Sequence, residues 1–515
     1  MDKLVSAIKK FDKKEPYTGQ IYGLAYLLIE NPKALSNLRN YAVDRILESA
    51  KSIGKHVCIV EGGNVNNYYI SHHYNFAVNL LVIVAIQRLV KVGAYRLAEL
   101  EKLKLKLIAF LEAEQTFLDD YSKKTVGFEL ITGKFLEEIS EFSGGKLSRK
   151  YSELREKRLA NTSKVLLFSP EGLDDNLKLE DGFREQVIKG ANTEVFAFNS
   201  PELTIKMADE LDQNNSELVS ALTNKVTSLQ GVPPFFESDR FFFPLAIEVL
   251  RTTGLLEISK VRDASLDQVK RLELFGGHPG DYHPQKGFSI AKGFELYDLD
   301  TSSMLMKALY SLGLWGAKEE RFAWSYYSSD SDYRYSTYKK DNRFSPSVLA
   351  HLLSAQCLVD GIEGDLLKVI FKIIDDGLYS DKYNASTLYV QYSLLVGLID
   401  SQVSGFDCMK YIDRLVASIL SAKKETGLFT TFAGLSTGTV EETTWAALAL
   451  NYYRMKIDNS HIRINESIQS IKNVMKTQNT ARVEELERLW IFKQIYTPIT
   501  FNQLLFAVID QLEIQ

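Results

Sequence analysis

The chain has 515 residues, enough for two or more domains that each bury a core. Hydrophobic residues make up 45% and charged residues 25%, and 61 basic against 66 acidic side chains leave a formal net charge of −5. That balance excludes a broad nucleic-acid-binding surface, while leaving room for a local basic pocket.

The opening segment MDKLVSAIKK lacks an apolar signal core, so no secretion and a cytoplasmic location are expected. Cys58, Cys357 and Cys408 are too few and too scattered for a disulfide framework or a thiolate metal site, which fits a reducing compartment. The longest apolar run, FAVNLLVIVAI at 76–86, is too short for a bilayer span and contains Asn79, so no transmembrane segment is expected. From 81 to 111 apolar residues recur every three or four positions without proline, the pattern of helix. SRKYSELREKR (148–158) is a basic cluster, either a solvated helix face with i,i+4 charge pairs or a patch for an anionic group.

GVPPFF (231–236) and GGHPGDYHP (276–284) gather proline into irregular joints, and the main domain boundary is placed near the first. Between 348 and 455 helical segments recur, separated by short stretches with Gly, Asp, Asn or Ser. Helices repeated this way bury apolar stripes against neighbours on both sides, in an open solenoid or a closed toroid. No run of alternating strands stands out, so the expected class is all-α.

The stretch GFELYDLDTSSMLMKALYSLG (293–313) raises a specific question. Asp298 and Asp300 stand one residue apart ahead of Thr301, Ser302, Ser303 and a helical apolar run. Asp, Ser and Thr cap helix N-termini, because their oxygens accept from unpaired backbone N–H groups. Two adjacent acids can also hold one carboxyl in its neutral, proton-donating form.

The order of landmarks bears on this choice. Asp298-Leu299-Asp300-Thr301 resembles the D-x-D-D or D-x-D-T signature of the class II terpene cyclases, the family of copalyl diphosphate synthases and, more distantly, squalene–hopene cyclases. GFEL (127–130), LLFSPEGL (166–173), FAFNSPELT (196–204) and GVPPFFESDRFFFPLAIEVLRTTGLLEI (231–258) are similar to family segments in family order. So are NRFSPSVLAHLL, DKYNASTLYVQYSLL, STGTVEETTWAALAL and LWIFKQIYTP (489–498). The resemblance covers about residues 125–515 and only loosely 1–124, where IYGLAYLL (21–28) stands in place of a YDTAW segment.

The resemblance implies two (α/α) barrel domains in a βγ arrangement with the active site between them. It assigns 20–235 to the γ-type domain, and 236–515 with the N-terminal helix 1–19 to the β-type domain. Family members protonate the terminal alkene of a linear prenyl diphosphate, so this chain is expected to turn geranylgeranyl diphosphate into a bicyclic labdane-type diphosphate. Farnesyl diphosphate giving a drimane-type product is the shorter alternative. By the same resemblance Asp300 is the proton donor, Asp298 raises its pKa or orients it, and Asn342 bonds the donor carboxyl. Thr301 replaces the last acid of the motif, Lys150 binds the diphosphate, and Glu129 is linked to Mg²⁺. Tyr297, Trp324, Tyr326, Tyr383, Tyr389 and Trp445 are expected to stabilise carbocations through their ring faces, or else simply to fill a helical core.

Copalyl diphosphate synthases of plants place a His and an Asn, which orient the deprotonating water, where this sequence has Phe168 and Pro234. Deprotonation is therefore expected to use another group. Asp119-Asp120, Asp174-Asp175 and Asp375-Asp376 lack the further acid of a DD-x-x-D motif. The product should then keep its diphosphate and pass to a separate downstream class I synthase or a phosphatase. An (α/α) toroid glycoside hydrolase, which needs a second acid across a cleft, and a non-enzymatic helical-repeat scaffold remain as alternatives.

Overall fold

The computed structural model describes residues 1–11, 20–118, 127–142, 144–159, 185, 201–214, 216–228, 231–232, 239–274, 282–283, 286–291, 294–315, 324–328, 335–338, 345–359, 361, 364–457, 469–473, 487–491 and 495–512. The chain divides into two compact units. Unit 1 comprises Met1–Pro16, Glu237–Leu489 and Pro498–Gln515, and unit 2 comprises Tyr17–Phe236 and Trp490–Thr497. Helices dominate both, as expected. The sequence reading missed three small antiparallel sheets: Ala50–Ile53 with His56–Ile59, Tyr282–His283 with Gly287–Ala291 and Phe294–Tyr297, and Trp490–Ile491 with Ile495–Tyr496. Their strands are two to five residues long, too short for an alternating pattern to show.

In unit 1 the helices Asp239–Thr252, Leu299–Ser311, Pro346–Val359, Thr387–Val403 and Val440–Lys456 pack each on the next. The series closes on itself, because Val440–Lys456 and Ile499–Gln511 both also pack against Asp239–Thr252. Leu299–Ser311, Thr387–Val403 and Val440–Lys456 are buried on nearly every side. Gly364–Asp375 and Met409–Ser421 lie between members of the ring in sequence and bury only one stripe. A helix apolar all round belongs inside a fold, and one with a single apolar stripe belongs on its outside. The N-terminal helix Asp2–Lys10 packs on Ser259–Arg271 and Ile499–Gln511, within the same unit.

Unit 2 is built around His72–Lys91, which packs on Ile21–Glu30, Leu97–Glu114 and Phe128–Phe135. This helix runs well beyond the 76–86 segment seen in the sequence, and by length and composition it could cross a membrane. However, 83% of its apolar window is buried within the protein, the environment of a core helix. Glu61, nearly fully buried, caps Ile21–Glu30 from a distance by accepting from the Ile21 and Tyr22 N–H groups at 2.9 and 3.1 Å.

Phe128–Phe135 and Gly145–Leu159 approach closely at Gly133. A Cβ there would collide with the Tyr151 carbonyl and lie 2.6 Å from Arg155 Cβ. Gly133→Ala should therefore lower stability by about 1–3 kcal/mol, the usual cost of forcing extra volume into a packed contact. Thermal unfolding of the purified variant measures this, and an unchanged midpoint would mean that the two helices can part without loss.

Candidate active site

The short strand Phe294–Tyr297 pairs with Gly287–Ala291 and delivers the chain to Asp298. Asp298 is extended, with φ −137° and ψ 156°, and its Oδ1 accepts from the Thr301 N–H at 2.7 Å. It is the N-cap of Leu299–Ser311, so the capping reading holds for this residue. Two further ties fix the helix start. The Leu299 N–H donates to the Thr337 carbonyl at 2.9 Å, and the Phe288 N–H donates to Ser302 Oγ at 2.9 Å.

Asp300 sits in the first turn and is buried, with 5% exposure. Its Oδ1 lies 2.6 Å from His351 Nδ1, on the neighbouring helix Pro346–Val359. On the far side of the imidazole, Nε2 lies 3.2 Å from Ser393 Oγ and 3.4 Å from the Tyr389 hydroxyl. Ser393 donates its single hydroxyl hydrogen to the Tyr389 carbonyl at 3.0 Å, so towards Nε2 it can only accept. With its hydrogen on Nε2 the imidazole donates to Ser393 Oγ, and Nδ1 then faces Asp300 Oδ1.

A third acid stands close by. Asp381, in the segment leading into Thr387–Val403, is buried and feels the charge of Asp300. Lys382 is buried beside it, its Nζ 4.9 Å from the Tyr383 ring centre and 5.6 Å from that of Tyr338. Burial pushes the Asp298 carboxyl up to about 7, the Asp300 charge adds to this, and the Thr301 bonds and Lys382 act against it. Burial likewise pushes the Tyr383 and Tyr389 hydroxyls well above their ordinary range.

A second charged layer underlies the first. Lys307, two helical turns beyond Asp300, pairs with Glu248, and both are almost wholly buried. Arg251 grips Asp400 with two nitrogens at 3.0 and 2.9 Å, and the Tyr452 and Ser354 hydroxyls donate to Asp400 at 2.6 Å each. These two pairs neutralise each other. Among the described residues, the upper cluster then holds three carboxyls (Asp298, Asp300 and Asp381) against two basic groups, His351 and Lys382. With both basic groups charged, a neutral buried cluster retains one proton on an acid, which is the state a low-dielectric interior favours.

The remaining expected residues divide. Thr301 and Tyr297 are buried beside the acids, and the Tyr297 ring meets His283 edge-on at 5.9 Å. Tyr326 packs edge-on against Tyr327 at 5.1 Å. The Tyr389 ring lies 6.1 Å from the His351 ring and 5.0 Å from Trp445, so Trp445 stands fully buried behind Tyr389. Asn342, Phe168 and Pro234 lie outside the described residues, as does the Trp324 side chain.

Glu129 and Lys150 belong to unit 2. Glu129 is buried at the start of Phe128–Phe135, and Lys150 is half-buried on Gly145–Leu159 with its Nζ 5.7 Å from the Tyr151 ring centre. A cleft of about 550 Å³ runs along that helix, lined by Ser148, Arg149 and Ser152 among others, and includes neither Lys150 nor Asp300. In the same unit Glu114 is engaged by the Tyr68 hydroxyl at 2.7 Å and His72 Nδ1 at 2.8 Å. No three His, Cys, Asp or Glu side chains among the described residues converge on a point where a metal could sit.

His351, Asp381 and Lys382 were not anticipated from the sequence. For His351 the signal was present: a single histidine in the apolar helix PSVLAHLLSAQCLV must find polar partners inside.

Solved structures share this fold. The ent-copalyl diphosphate synthase from Streptomyces platensis matches with a TM-score of 0.65 at 16% identity, over 98% of this chain and 97% of that one. The ent-copalyl diphosphate synthase from Arabidopsis thaliana, in complex with (S)-15-aza-14,15-dihydrogeranylgeranyl thiolodiphosphate, matches with a TM-score of 0.53 at 13% identity, over 99% of this chain and 78% of that one. Abietadiene synthase from Abies grandis gives 0.50 at 12% identity, over 99% and 73%. No family model and no curated protein matches the chain. The all-α fold expected from the sequence is thus shared with these synthases.

Asp298 gives a test of the electrostatics. Its carboxyl is held at about 7 in the folded chain against an ordinary 3.8, so the folded state binds the proton more tightly. The resulting stability is complete below about pH 4 and is lost as pH rises through 7. Asp298→Asn keeps an acceptor for the Thr301 N–H but does not titrate. The wild type should therefore lose stability relative to Asp298→Asn between pH 4 and 7 and run parallel to it above pH 8. Denaturant unfolding across that range checks this, and a constant difference would show that Asp298 carries no such shift.

Proposed function

We propose that the chain is a class II terpene cyclase, which protonates the terminal alkene of a linear prenyl diphosphate and retains the diphosphate in the cyclic product. Geranylgeranyl diphosphate giving a bicyclic labdane-type diphosphate is the favoured reaction. Two of the proteins that share the fold are copalyl diphosphate synthases, one of them described with a dihydrogeranylgeranyl thiolodiphosphate. Farnesyl diphosphate giving a drimane-type product differs only in the chain length to be held. The observation that carries the proposal is the buried contact between Asp300 and His351.

An alkene is a very poor base, so the acid must be neutral, shielded from water and well aimed. An ordinary Asp is ionised at pH 7, and keeping its proton there costs about 4 kcal/mol, at roughly 1.4 per pKa unit. Burial of the acid cluster supports this, because it raises the Asp298 and Asp381 carboxyls, the direction in which neighbouring buried acids keep a proton. In the reacting state of this proposal His351 would donate Nδ1–H to Asp300 Oδ1, leaving Oδ2 to carry the proton for the alkene. A cation bonded to one oxygen makes the other O–H a stronger acid. Proton transfer leaves the Asp300 carboxylate paired with His351 and a tertiary carbocation facing the chain.

Tyr297, Tyr326, Tyr383, Tyr389, Trp324 and Trp445 would offer ring faces to that cation or support those that do. Lys150 would bind the diphosphate. Mg²⁺ commonly takes one or two protein carboxylates and completes its shell with substrate phosphates and water. The described residues form no preassembled cage for it; Glu129 is the carboxylate that would contribute to its shell, and no step is assigned to the ion.

Purified protein incubated with geranylgeranyl or farnesyl diphosphate and Mg²⁺, then dephosphorylated, should yield a cyclic prenyl alcohol. Asp300→Ala should abolish it with folding intact, and His351→Gln should reduce turnover by about 100-fold, the scale of a lost acid–base partner. Full turnover in Asp300→Ala, or consumption of neither substrate by the wild type, would falsify the reading. Activity on a glycan or silence towards all of these would favour the glycosidase or scaffold alternative.

A further inference from the structure

We infer that Asp381 is a positioning residue for the Asp300–His351 pair: one buried carboxylate ties the start of the helix that carries the imidazole to the segment leading into the helix that meets its Nε2. Its catalytic consequence rests on the cyclase reading, but the geometry does not. Asp381 is 3% exposed and accepts from the Tyr383 N–H at 2.8 Å, the Ser347 N–H at 3.2 Å and the Ser345 hydroxyl at 3.1 Å.

Ser347 lies in the first turn of Pro346–Val359 and His351 comes one turn later, on the same face. The helix has Pro346 at its first position, so the Ser347 N–H is among the first backbone donors that need a partner from outside. Asp381 supplies it from a segment 34 positions away in sequence.

The other bond, from the Tyr383 N–H, fixes the chain as it enters Thr387–Val403. There Ser386 caps the helix, accepting from the Leu388 N–H at 3.1 Å, and Tyr389 and Ser393 reach His351 Nε2. Nδ1 and Nε2 of His351 thus meet groups from two different helices, and Asp381 joins the starts of the last two elements that must agree. Among the described residues, the other charged or titratable groups facing the pair are Asp298, Glu248 and Lys382, with the Tyr383 and Tyr389 hydroxyls.

The test uses the full chain with ¹⁵N-labelled histidine, the His351 signals being assigned by their loss in His351→Gln. Asp381→Asn turns an NH₂ group towards donors and must give up at least one of the three bonds. The His351 ring-nitrogen signals should then shift, while those of His72 in unit 2 stay in place. Ser345→Ala, which removes one donor and no charge, should give a smaller shift in the same direction. With prenyl diphosphate, kcat of Asp381→Asn should fall by about 100-fold, the scale of a misplaced catalytic group. KM should stay within about threefold, because binding of the chain is untouched.

Unmoved His351 signals in folded Asp381→Asn overturn the inference, whether or not turnover falls with the unfolding midpoint. If His351 responds while the wild type consumes no prenyl diphosphate, the positioning role stands and the cyclase reading falls.

Discussion

The bond between Asp300 and His351 makes demands that reach through unit 1. Two side chains 51 positions apart meet at 2.6 Å, on helices that must keep both their rotation and their axial register. Apolar packing alone does not give that. A core accepts many hydrophobic exchanges and loses its unique arrangement before it loses stability. The register is instead pinned by polar ties above and below the pair. Above are the Asp298 cap, the Leu299–Thr337 and Phe288–Ser302 bonds, and Asp381. Below are Lys307–Glu248 and the Arg251–Asp400–Ser354 set, on the same two helices and their neighbours. Fixing register is the best-supported use of buried ion pairs, whose net contribution to stability is small or negative.

The two charged layers divide the work. In the lower layer each acid has a cationic partner, Lys307 for Glu248 and Arg251 for Asp400. The upper layer is deliberately unbalanced in composition: three carboxyls face one lysine and one imidazole. Lys382 would by itself favour ionised acids, yet its charge is spread over the rings of Tyr338 and Tyr383, and it can match only one carboxylate. The surplus acid therefore follows from residue count and burial together, and neither feature alone would give it.

Much of this was legible in the sequence, and the limits are physical. Helical periodicity and the recurrence of helices at short intervals gave the all-α class, because 3.6-residue spacing survives any tertiary arrangement. The DLDTSS stretch was read as caps or as a working acid, and the structure divides the roles by position: Asp298 caps, and Asp300 meets the histidine. Spacing cannot separate these, since both uses place an acid at a helix start. The strand leading into Asp298 was missed because four residues beside a Gly- and Pro-rich joint carry no period. The resemblance points to Asn342, a residue outside those described, as a partner of Asp300 and says nothing of His351. His351 could have been found from the residues, as a lone polar group in an apolar helix. Asp381 could not, because its Ser345 and Ser347 donors come from a segment that only the fold brings to it.

The acid cluster also has a cost, and the same helix shows how the fold carries it. Raising the Asp298 carboxyl from 3.8 to about 7 means that its ionised form is disfavoured by on the order of 4 kcal/mol relative to the unfolded chain. The cap bond to Thr301 recovers only about 1 kcal/mol. What holds the helix start in place is the apolar run that follows. Leu299, Met304, Leu305, Met306 and Leu309 are all fully buried, and each contributes roughly 1.5–3 kcal/mol relative to exposure. Polar groups at the N-terminal turn can be spent on chemistry because the next two turns are almost entirely hydrocarbon. An acid placed at the end of such a helix, or on an outer helix with only one buried stripe, would lack both the desolvation that keeps its proton and the packing that offsets the strain.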